Sequence, residues 1–234
     1  MVHEQRDGAV ARLTFDRPEH LNAFTVTAYR EVRQALDRAA ADAAVHVVVL
    51  AGSGRAFTAG ADRSLLDGSA PDAAEAGPEF ERFLDTLAGF PKPLVAAVHG
   101  FAVGIGCTLL LYCDLVLVAA SARLRLPFTE LGIVPEAGSS ALLPQRGRWP
   151  DVVWSMLSSE WIDADAAVRL GLAWRVVADD ALADETDATA ATLAALDPAA
   201  VAATKELLVT GRHEVARAAI ERELAAVRAL RQLP

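Results

Sequence analysis

The chain has 234 residues, a formal net charge of −9 and 53% hydrophobic residues. This length fits one domain with a large core, or one domain with a helical appendage. Lysine and arginine form no dense basic run, which argues against nucleic-acid binding. Every apolar run is too short to cross a bilayer, and residues 1–8 are polar. Cys107, Cys113 and five scattered histidines predict neither a disulfide framework nor a metal site. A soluble, cytoplasmic protein is the default expectation.

The first half of the chain alternates between strand and helix patterns. Hydrophobic periodicity and turn residues predict, in chain order, a strand (9–15), a helix (26–41), a strand (45–51), a mobile surface loop (64–78), a helix (79–89), a strand (94–98), a helix (105–112) and two strands (114–119, 123–126). Thr25 is the predicted N-cap of the first helix. This order indicates an α/β architecture, either a repeated strand–strand–helix unit or a doubly wound sheet.

The second half is mostly helical. We predict helices over 140–144, 150–159 and 164–170, a short strand over 173–177, and three further helices over 180–196, 199–208 and 214–230. The last helices carry long apolar stripes. On pattern alone, packing on the chain's own core and contact with another subunit explain these stripes equally well.

Two glycine-containing loops each follow a buried, strand-like run. The first is residues 55–62 (RAFTAGAD), and the second is residues 99–108 (HGFAVGIGCT). Glycine permits positive φ angles and a close approach of ligand to backbone. Two such loops lying side by side can aim backbone N–H groups at one point, which is what holding an oxyanion requires. Patterns typical of nucleotide-binding phosphate loops, dinucleotide-binding loops and serine hydrolases do not match these segments.

Together with residues 17–23 (RPEHLNA), 131–138 (LGIVPEAG) and 167–172 (AVRLGL), these loops resemble the crotonase family, also called the enoyl-CoA hydratase/isomerase superfamily. The resemblance covers nearly the whole chain. It implies an α/β fold, with a crotonase-like spiral of strand–strand–helix units and the coenzyme A site over 1–178. Residues 179–234 would form an all-helical oligomerisation region, in a homotrimer or a dimer of trimers. It also implies an acyl-CoA thioester substrate and no prosthetic group.

By this resemblance, the backbone N–H groups of Ala61 and Ile105 form the oxyanion hole for the thioester enolate. Hydratase-like members place one glutamate where this chain has Thr108 and another where it has Phe128, so strong hydratase activity is disfavoured. Glu136 occupies the position of the single base in the Δ3,Δ2-enoyl-CoA isomerase branch. Burial beside an acyl pocket would raise its pKa towards neutrality. A purely structural alternative is that Glu136 caps the helix near Gly138.

The resemblance also implies contacts to the coenzyme. The segment Asn22, Ala23 and Phe24, with the backbone from Phe57 to Ala59, would line the pantetheine and adenine. Candidate cations for the phosphates are Arg17, Arg63 and Lys205, each of which also fits a solvated surface charge.

Two acidic residues near these motifs have weaker assignments. Asp62 is expected to tie down the first loop through backbone hydrogen bonds, and Glu130 is a minor candidate for a second acid. The function favoured by the sequence is double-bond isomerisation. A weak hydratase, a decarboxylase of secondary metabolism and a non-catalytic acyl-CoA-binding paralogue remain as alternatives.

Overall fold

The computed structural model describes residues 2–230. Its strands are β1 (Val2–Asp7), β2 (Val10–Phe15), β3 (Val47–Gly52), β4 (Ala56–Thr58), β5 (Leu94–Val98), β6 (Phe101–Val103), β7 (Leu115–Ala119), β8 (Arg123–Arg125), β9 (Trp161–Asp163) and β10 (Arg175–Val177). Its α-helices are α1 (Val26–Ala41), α2 (Arg63–Leu66), α3 (Ala73–Ala88), α4 (Ile105–Thr108), α5 (Ser139–Leu142), α6 (Trp149–Ser158), α7 (Ala164–Arg169), α8 (Leu182–Ala194) and α9 (Pro198–Leu230).

The strands divide between two mixed sheets. The six-stranded sheet has the order β1-β2-β3-β5-β7-β10, and the four-stranded sheet has the order β4-β6-β8-β9. Each of β3, β5 and β7 lies in the large sheet, and the strand that follows it lies in the small sheet. The large sheet is parallel except for the β1–β2 pair. This repeated alternation is the spiral of strand–strand–helix units that was predicted, rather than a doubly wound sheet.

The core lies on the large sheet. Val47 to Leu50 and Leu94 to Val98 are buried throughout, as expected for central parallel strands covered on both faces. Helix α8 packs against β3, β5 and β7 and buries Leu182, Thr186 and Ala190. The first half of the predicted C-terminal region therefore covers the sheet, and the boundary at residue 178 stays a prediction.

Helix α1 has the predicted bounds. The Thr25 side chain accepts a 3.2 Å hydrogen bond from the backbone N–H of Ala28, so the predicted N-cap is confirmed. Its buried residues recur at helical spacing: Val26, Ala28, Tyr29, Val32, Ala35, Leu36 and Ala39.

The predicted loop over 64–78 is wrong at its two ends, and only residues 67–72 lie outside helices. This segment forms most of α2 and the first turns of α3, with Pro78 inside the helix. Tertiary contacts outweigh the local composition there, because Glu79 is buried and pairs with Arg33 (2.8 Å), Arg82 (3.2 Å) and Arg30 (3.6 Å). Two of these arginines belong to α1, so the ion pairs fasten α3 onto α1.

The predicted break between two final helices is also wrong. Helix α9 is continuous from Pro198 to Leu230, a length of about 50 Å at 1.5 Å per residue. Gly211 lies inside it with no positive φ, so this glycine does not end the helix. In the described part of the chain, no helix is both long and apolar enough to span a membrane.

Four strands were not predicted. β4, β6 and β9 have three residues each, too few to show a period, and β1 is largely polar and exposed. The predicted helix over 105–112 forms α4 and a following 3-10 turn at Leu109–Leu111. The predicted helix over 79–89 begins six residues earlier, at Ala73, and the remaining predicted elements occur with bounds shifted by up to two residues.

Candidate active site

The two glycine loops pack directly against each other. A Cβ atom placed on Gly60 would lie 2.4 Å from the carbonyl oxygen of Val103. One placed on Gly106 would lie 2.8 Å from both the carbonyl oxygen and Cγ2 of Thr58. Only glycine permits this approach at either position. The loop after β4 and the start of α4 are therefore held side by side.

The Ala61 amide faces away from the neighbouring segment that contains Phe24. Phe24 and Ala61 form an isolated parallel bridge. In it, the Phe24 N–H donates to the Gly60 carbonyl (2.7 Å) and the Asp62 N–H donates to the Phe24 carbonyl (2.8 Å). Because alternate residues of an extended segment present their amides to opposite sides, the Ala61 N–H points away from Phe24. Ala61 itself is partly exposed.

The Ile105 amide begins helix α4. Gly104 precedes it with φ 54°, and the Gly104 carbonyl accepts bonds from Cys107 (2.8 Å) and Thr108 (3.0 Å). The first N–H groups of a helix have no partner within it. Within residues 2–230, neither the Ile105 N–H nor the Ala61 N–H donates a backbone hydrogen bond. Both amides are thus free to receive an oxyanion. The Ile105 side chain is buried in the core.

Asp62 fixes the first loop, as predicted. Its Oδ1 accepts from the N–H (3.0 Å) and the hydroxyl (2.8 Å) of Ser64, and its Oδ2 pairs with Arg17. Burial opposes its ionisation, but the hydrogen bonds from Arg17 and Ser64 outweigh burial and lower the pKa of Asp62 to about 2. Arg17 also donates to the Ala23 carbonyl, so its guanidinium is committed to this loop.

Glu136 lies on a loop with an unusual backbone. The next two residues, Ala137 and Gly138, both have positive φ angles of 58° and 70°. Such a conformation is strained for alanine and needs support from its surroundings. The Tyr112 hydroxyl provides part of that support, because it donates a 2.7 Å hydrogen bond to the Ala137 carbonyl.

The Glu136 carboxyl is poorly solvated. It borders a cavity of about 70 Å³ whose lining is mostly apolar and includes Phe80, Leu84 and Ile220. In the described part of the chain, the carboxyl makes no hydrogen bond or ion pair that would favour its charged form. Burial, and secondarily the charge of Glu223, raise the pKa of Glu136 to about 7. The residue as a whole keeps partial contact with solvent.

The capping alternative for Glu136 is wrong, because Glu223 takes that role. The Glu223 carboxylate accepts from the backbone N–H of Gly138 (2.8 Å) and of Ser140 (2.9 Å) at the start of α5. Glu223 is missing from the sequence-based site. It is 83 residues beyond Ser140, and one glutamate in a charged helical stripe gives no signal of such a contact.

Comparison with known proteins supplies the family. Residues 5–232 match the enoyl-CoA hydratase/isomerase family model. The chain belongs to the enoyl-CoA hydratase/isomerase family. It is similar to a probable enoyl-CoA hydratase of Rhodobacter capsulatus, with 38% identity over 86% of this chain and 78% of that protein. It is also similar to the 1,2-epoxyphenylacetyl-CoA isomerase of Escherichia coli, with 36% identity over 79% of this chain and 72% of that protein.

The fold is that of the same family. A crystal structure of an enoyl-CoA hydratase/isomerase from Pseudoalteromonas atlantica superimposes with a TM-score of 0.92 at 35% identity, covering 99% of this chain and 92% of that one. The protein is therefore an acyl-CoA-processing enzyme of the crotonase type. Hydratase and isomerase names both occur among relatives at similar identity, so the comparisons leave the branch open.

The positions where hydratase-like members carry glutamates are closed and uncharged in this family member. Thr108 is fully buried, and its hydroxyl has no hydrogen-bond partner among the residues that the structure describes. Phe128 is buried in the core. Glu130 is exposed, pairs with Arg125, and does not line the Glu136 cavity. None of the three places a second carboxyl beside Glu136.

Several residues predicted to contact coenzyme A have side chains that are buried or hydrogen-bonded within the protein. The Asn22 side chain is fully buried and donates to the carbonyl oxygens of Ser53 (2.9 Å) and Ala56 (2.7 Å). The side chains of Ala23, Phe24 and Phe57 are buried, and Ala59 is partly exposed. Contacts with the coenzyme would therefore come from the backbone of these segments, as the prediction for Phe57 to Ala59 specified.

The other two candidate cations for the phosphates, Arg63 and Lys205, differ in exposure. Arg63 is exposed at the start of α2, directly after the oxyanion loop, and has no ion-pair partner within residues 2–230. Lys205 is buried, with its ammonium donating to Asp114 (2.7 Å) and to the Lys92 carbonyl (2.5 Å). These contacts use two of its three protons and favour a structural role for Lys205 over a phosphate contact. For coenzyme binding both residues remain predictions. Among the described residues, no group of three or more potential metal ligands occurs.

Proposed function

We propose that this enzyme moves the double bond of a 3-enoyl-CoA to the 2-position. The amides of Ala61 and Ile105 hold the thioester oxygen, and Glu136 removes a proton from C2. The electron pair passes into the enolate, stabilised by the two amides. Glu136 then returns its proton to C4, and the double bond forms between C2 and C3. The sum is an isomerisation that consumes and releases nothing.

The observation that carries this proposal is the apolar environment of the Glu136 carboxyl and its raised pKa. Its carboxyl borders an apolar cavity, and burial first, then Glu223, raise its pKa to about 7. A group that must both accept and donate a proton works best when its pKa lies near the working pH. A hydratase must also activate water. The uncharged Thr108 and Phe128 occupy the positions of the two hydratase glutamates, so Glu136 would have to act alone.

Weak hydration is the second candidate. The buried Thr108 hydroxyl has no hydrogen-bond partner among the residues described, and it stands at one of the two positions where hydratase-like members carry a glutamate. Several relatives, such as that of R. capsulatus, are named hydratases. A hydroxyl is a far weaker base than a carboxylate, so we expect hydration to be slower than isomerisation.

The test follows the fate of two substrates. The wild-type enzyme is incubated separately with a 3-enoyl-CoA and a 2-enoyl-CoA, and products are identified by mass and absorbance. We expect conversion of the 3-enoyl to the 2-enoyl thioester, a loss of about 10²-fold or more in Glu136→Gln, and unchanged thioester binding by calorimetry. Glu130→Gln is the matched control and should retain full turnover.

Other outcomes would replace the proposal. Unchanged turnover in Glu136→Gln would remove Glu136 from the mechanism. Rapid hydration of the 2-enoyl thioester would favour the hydratase. Turnover of neither substrate would favour decarboxylation of a malonyl-type thioester, or binding without catalysis if calorimetry still detects the thioester.

We also keep the finer expectations about assembly and cofactor contacts as proposals. The enzyme would form a homotrimer or a dimer of trimers in the cytoplasm, and Arg63 would contact the phosphates of coenzyme A. Exposed leucines of α9, including Leu207 and Leu208, support a subunit contact. Sedimentation velocity tests the assembly, and thioester affinity in Arg63→Gln tests the phosphate contact.

A further inference from the structure

Glu223 joins the C-terminal helix to the active-site loop. It lies on α9 with 6% of its surface exposed. One carboxylate oxygen accepts from the Gly138 N–H at 2.8 Å, and the other accepts from the Ser140 N–H at 2.9 Å. Gly138 is the second residue of the strained segment that follows Glu136, and Ser140 lies in the first turn of α5. Both oxygens of Glu223 are therefore engaged as acceptors, the arrangement expected of an ionised carboxylate.

Glu223 also faces Glu136 without a compensating cation. Both residues line the cavity of about 70 Å³. Within residues 2–230, neither Glu136 nor Glu223 has a lysine, arginine or histidine ion-pair partner. The other titratable groups around this pair are Tyr29 from α1, Glu81 and Asp85 from α3, Tyr112, and Arg212 from α9, whose guanidinium carbon lies 5.9 Å from the centre of the Tyr112 ring. Glu223 is therefore the buried negative charge beside Glu136.

We propose that Glu223 is a positioning residue for the acid/base Glu136, acting through the loop backbone and through its own charge. The role assigned to Glu136 rests on the proposed isomerase function. Glu223 does not transfer a proton in this scheme, because both its oxygens are occupied by amides. Its place on α9 makes the C-terminal helix part of the reaction centre.

The physical consequence concerns the protonation of Glu136. A like charge nearby disfavours ionisation, so it adds to the effect of burial and keeps the pKa of Glu136 raised. Without that charge, Glu136 would hold its proton less well and return it to C4 less readily at neutral pH.

Three variants separate charge from packing. Glu223→Gln removes the charge and keeps the size of the side chain. Glu223→Asp keeps the charge with a shorter reach. Glu221→Gln removes an exposed charge from the same helix and is the matched control. The measurement is a carboxyl ¹³C NMR titration of the full chain without substrate, in which the Glu136 signal is identified by its absence in Glu136→Gln.

We expect the Glu136 midpoint to fall by about 0.5–1 pH unit in Glu223→Gln and to stay at the wild-type value in Glu223→Asp and Glu221→Gln. The acid limb of the isomerase pH profile should move by the same amount. An unmoved midpoint in Glu223→Gln, or equal shifts in Glu223→Gln and Glu221→Gln, would overturn the inference.

A second measurement needs no Glu223 variant. Amide hydrogen exchange in the wild-type protein should be slow at Gly138 and Ser140, because both N–H groups are bound to Glu223. Rapid exchange at both would contradict the anchoring role even if the variants do not fold. If the proposed isomerase function is wrong, turnover is retained in Glu136→Gln. The NMR titration of Glu136 tests the role of Glu223 whether or not the enzyme is an isomerase.

Discussion

The Tyr112 hydroxyl donates a 2.7 Å hydrogen bond to the carbonyl oxygen of Ala137, and both residues are buried. Tyr112 follows the helical segment that begins at Ile105, and Ala137 follows Glu136. One side chain therefore joins the element that carries the Ile105 amide to the loop that carries the Glu136 carboxyl.

Replacing Tyr112 by Phe should weaken that connection. The ring remains, but the buried Ala137 carbonyl loses its partner, so we expect the free energy of unfolding to fall by about 1–3 kcal/mol. The kcat for a 3-enoyl-CoA should fall more than KM changes, since the loop that would shift carries Glu136, the proposed acid/base. Urea unfolding and steady-state kinetics measure the two effects. Thr192→Ala removes an exposed helical hydroxyl and should change stability by less than about 0.5 kcal/mol.

The rate of isomerisation should depend on the protonation of Glu136. The base must be ionised to take the C2 proton, and burial followed by Glu223 raises its pKa to about 7. We therefore expect kcat/KM to rise with pH, with a midpoint near 7. A midpoint near 4.5, the ordinary value for glutamate, would mean that the acting carboxyl is well solvated.

Protonation of Glu136 should also make the stability of the protein depend on pH. Folded Glu136 keeps its proton up to about pH 7, whereas the unfolded chain releases it near pH 4.5. The folded state thus binds more protons in this window, and stability from this group is complete below pH 4.5 and declines as pH rises through 7. Glu136→Gln lacks that decline. Relative to wild type, it should gain up to about 3 kcal/mol between pH 4.5 and 8, less for residual solvation. Denaturant unfolding at several pH values checks the slope, and equal slopes would contradict the raised pKa.

The contact between the two glycine loops should not tolerate a side chain. In Gly106→Ala the new Cβ would lie 2.8 Å from the Thr58 carbonyl oxygen, which cannot move without the loop. We expect a loss of about 1–3 kcal/mol in stability and a fall in kcat. Gly211→Ala is the control, because nothing lies within 4 Å of its Cβ position inside α9. It should gain about 0.5–1 kcal/mol from helix propensity. Similar losses in both variants would argue against a specific contact.

The ion pairs that hold α3 on α1 should matter for stability. Glu79 has a side chain 3% exposed between Arg30, Arg33 and Arg82. In Glu79→Gln these arginines lose the charge that compensates them, and we expect a cost of about 2–4 kcal/mol. Glu75→Gln removes an exposed partner of Arg30 and should cost less than about 1 kcal/mol. Thermal unfolding separates the two, and equal effects would show that burial of Glu79 is unimportant.

Much of the fold could be predicted because its causes are local. The cap at Thr25, the apolar stripe of α1 and the buried run from Leu94 to Val98 are each encoded in consecutive residues. Where tertiary contacts decide, the sequence misleads. Pro78 and its neighbours have a loop-like composition, yet Glu79 and its arginines hold them as helix. Gly211 resembles a helix end, yet α9 continues through it.

The candidate site likewise has residues that the sequence reveals and contacts that it does not. Ala61, Ile105 and Glu136 could be proposed from short motifs, and the structure adds the orientation of the amides and the apolar surroundings of the carboxyl. Glu223 could not be found, because its contact with Gly138 joins positions 85 residues apart. The burial of Lys205 against Asp114 was equally invisible, since a lone lysine in a helix is typical of a solvated surface.

The contact between α9 and the loop has a consequence for synthesis of the protein. A ribosome completes the two glycine loops and then Glu136 well before it reaches Glu223. Until α9 has emerged and docked, the Gly138 and Ser140 amides lack their carboxylate and the loop lacks its anchor. A nascent chain would therefore carry the two proposed oxyanion-hole amides and the proposed base before the loop is anchored. On the proposed mechanism, catalytic competence would arise late in translation, once α9 has docked on this loop.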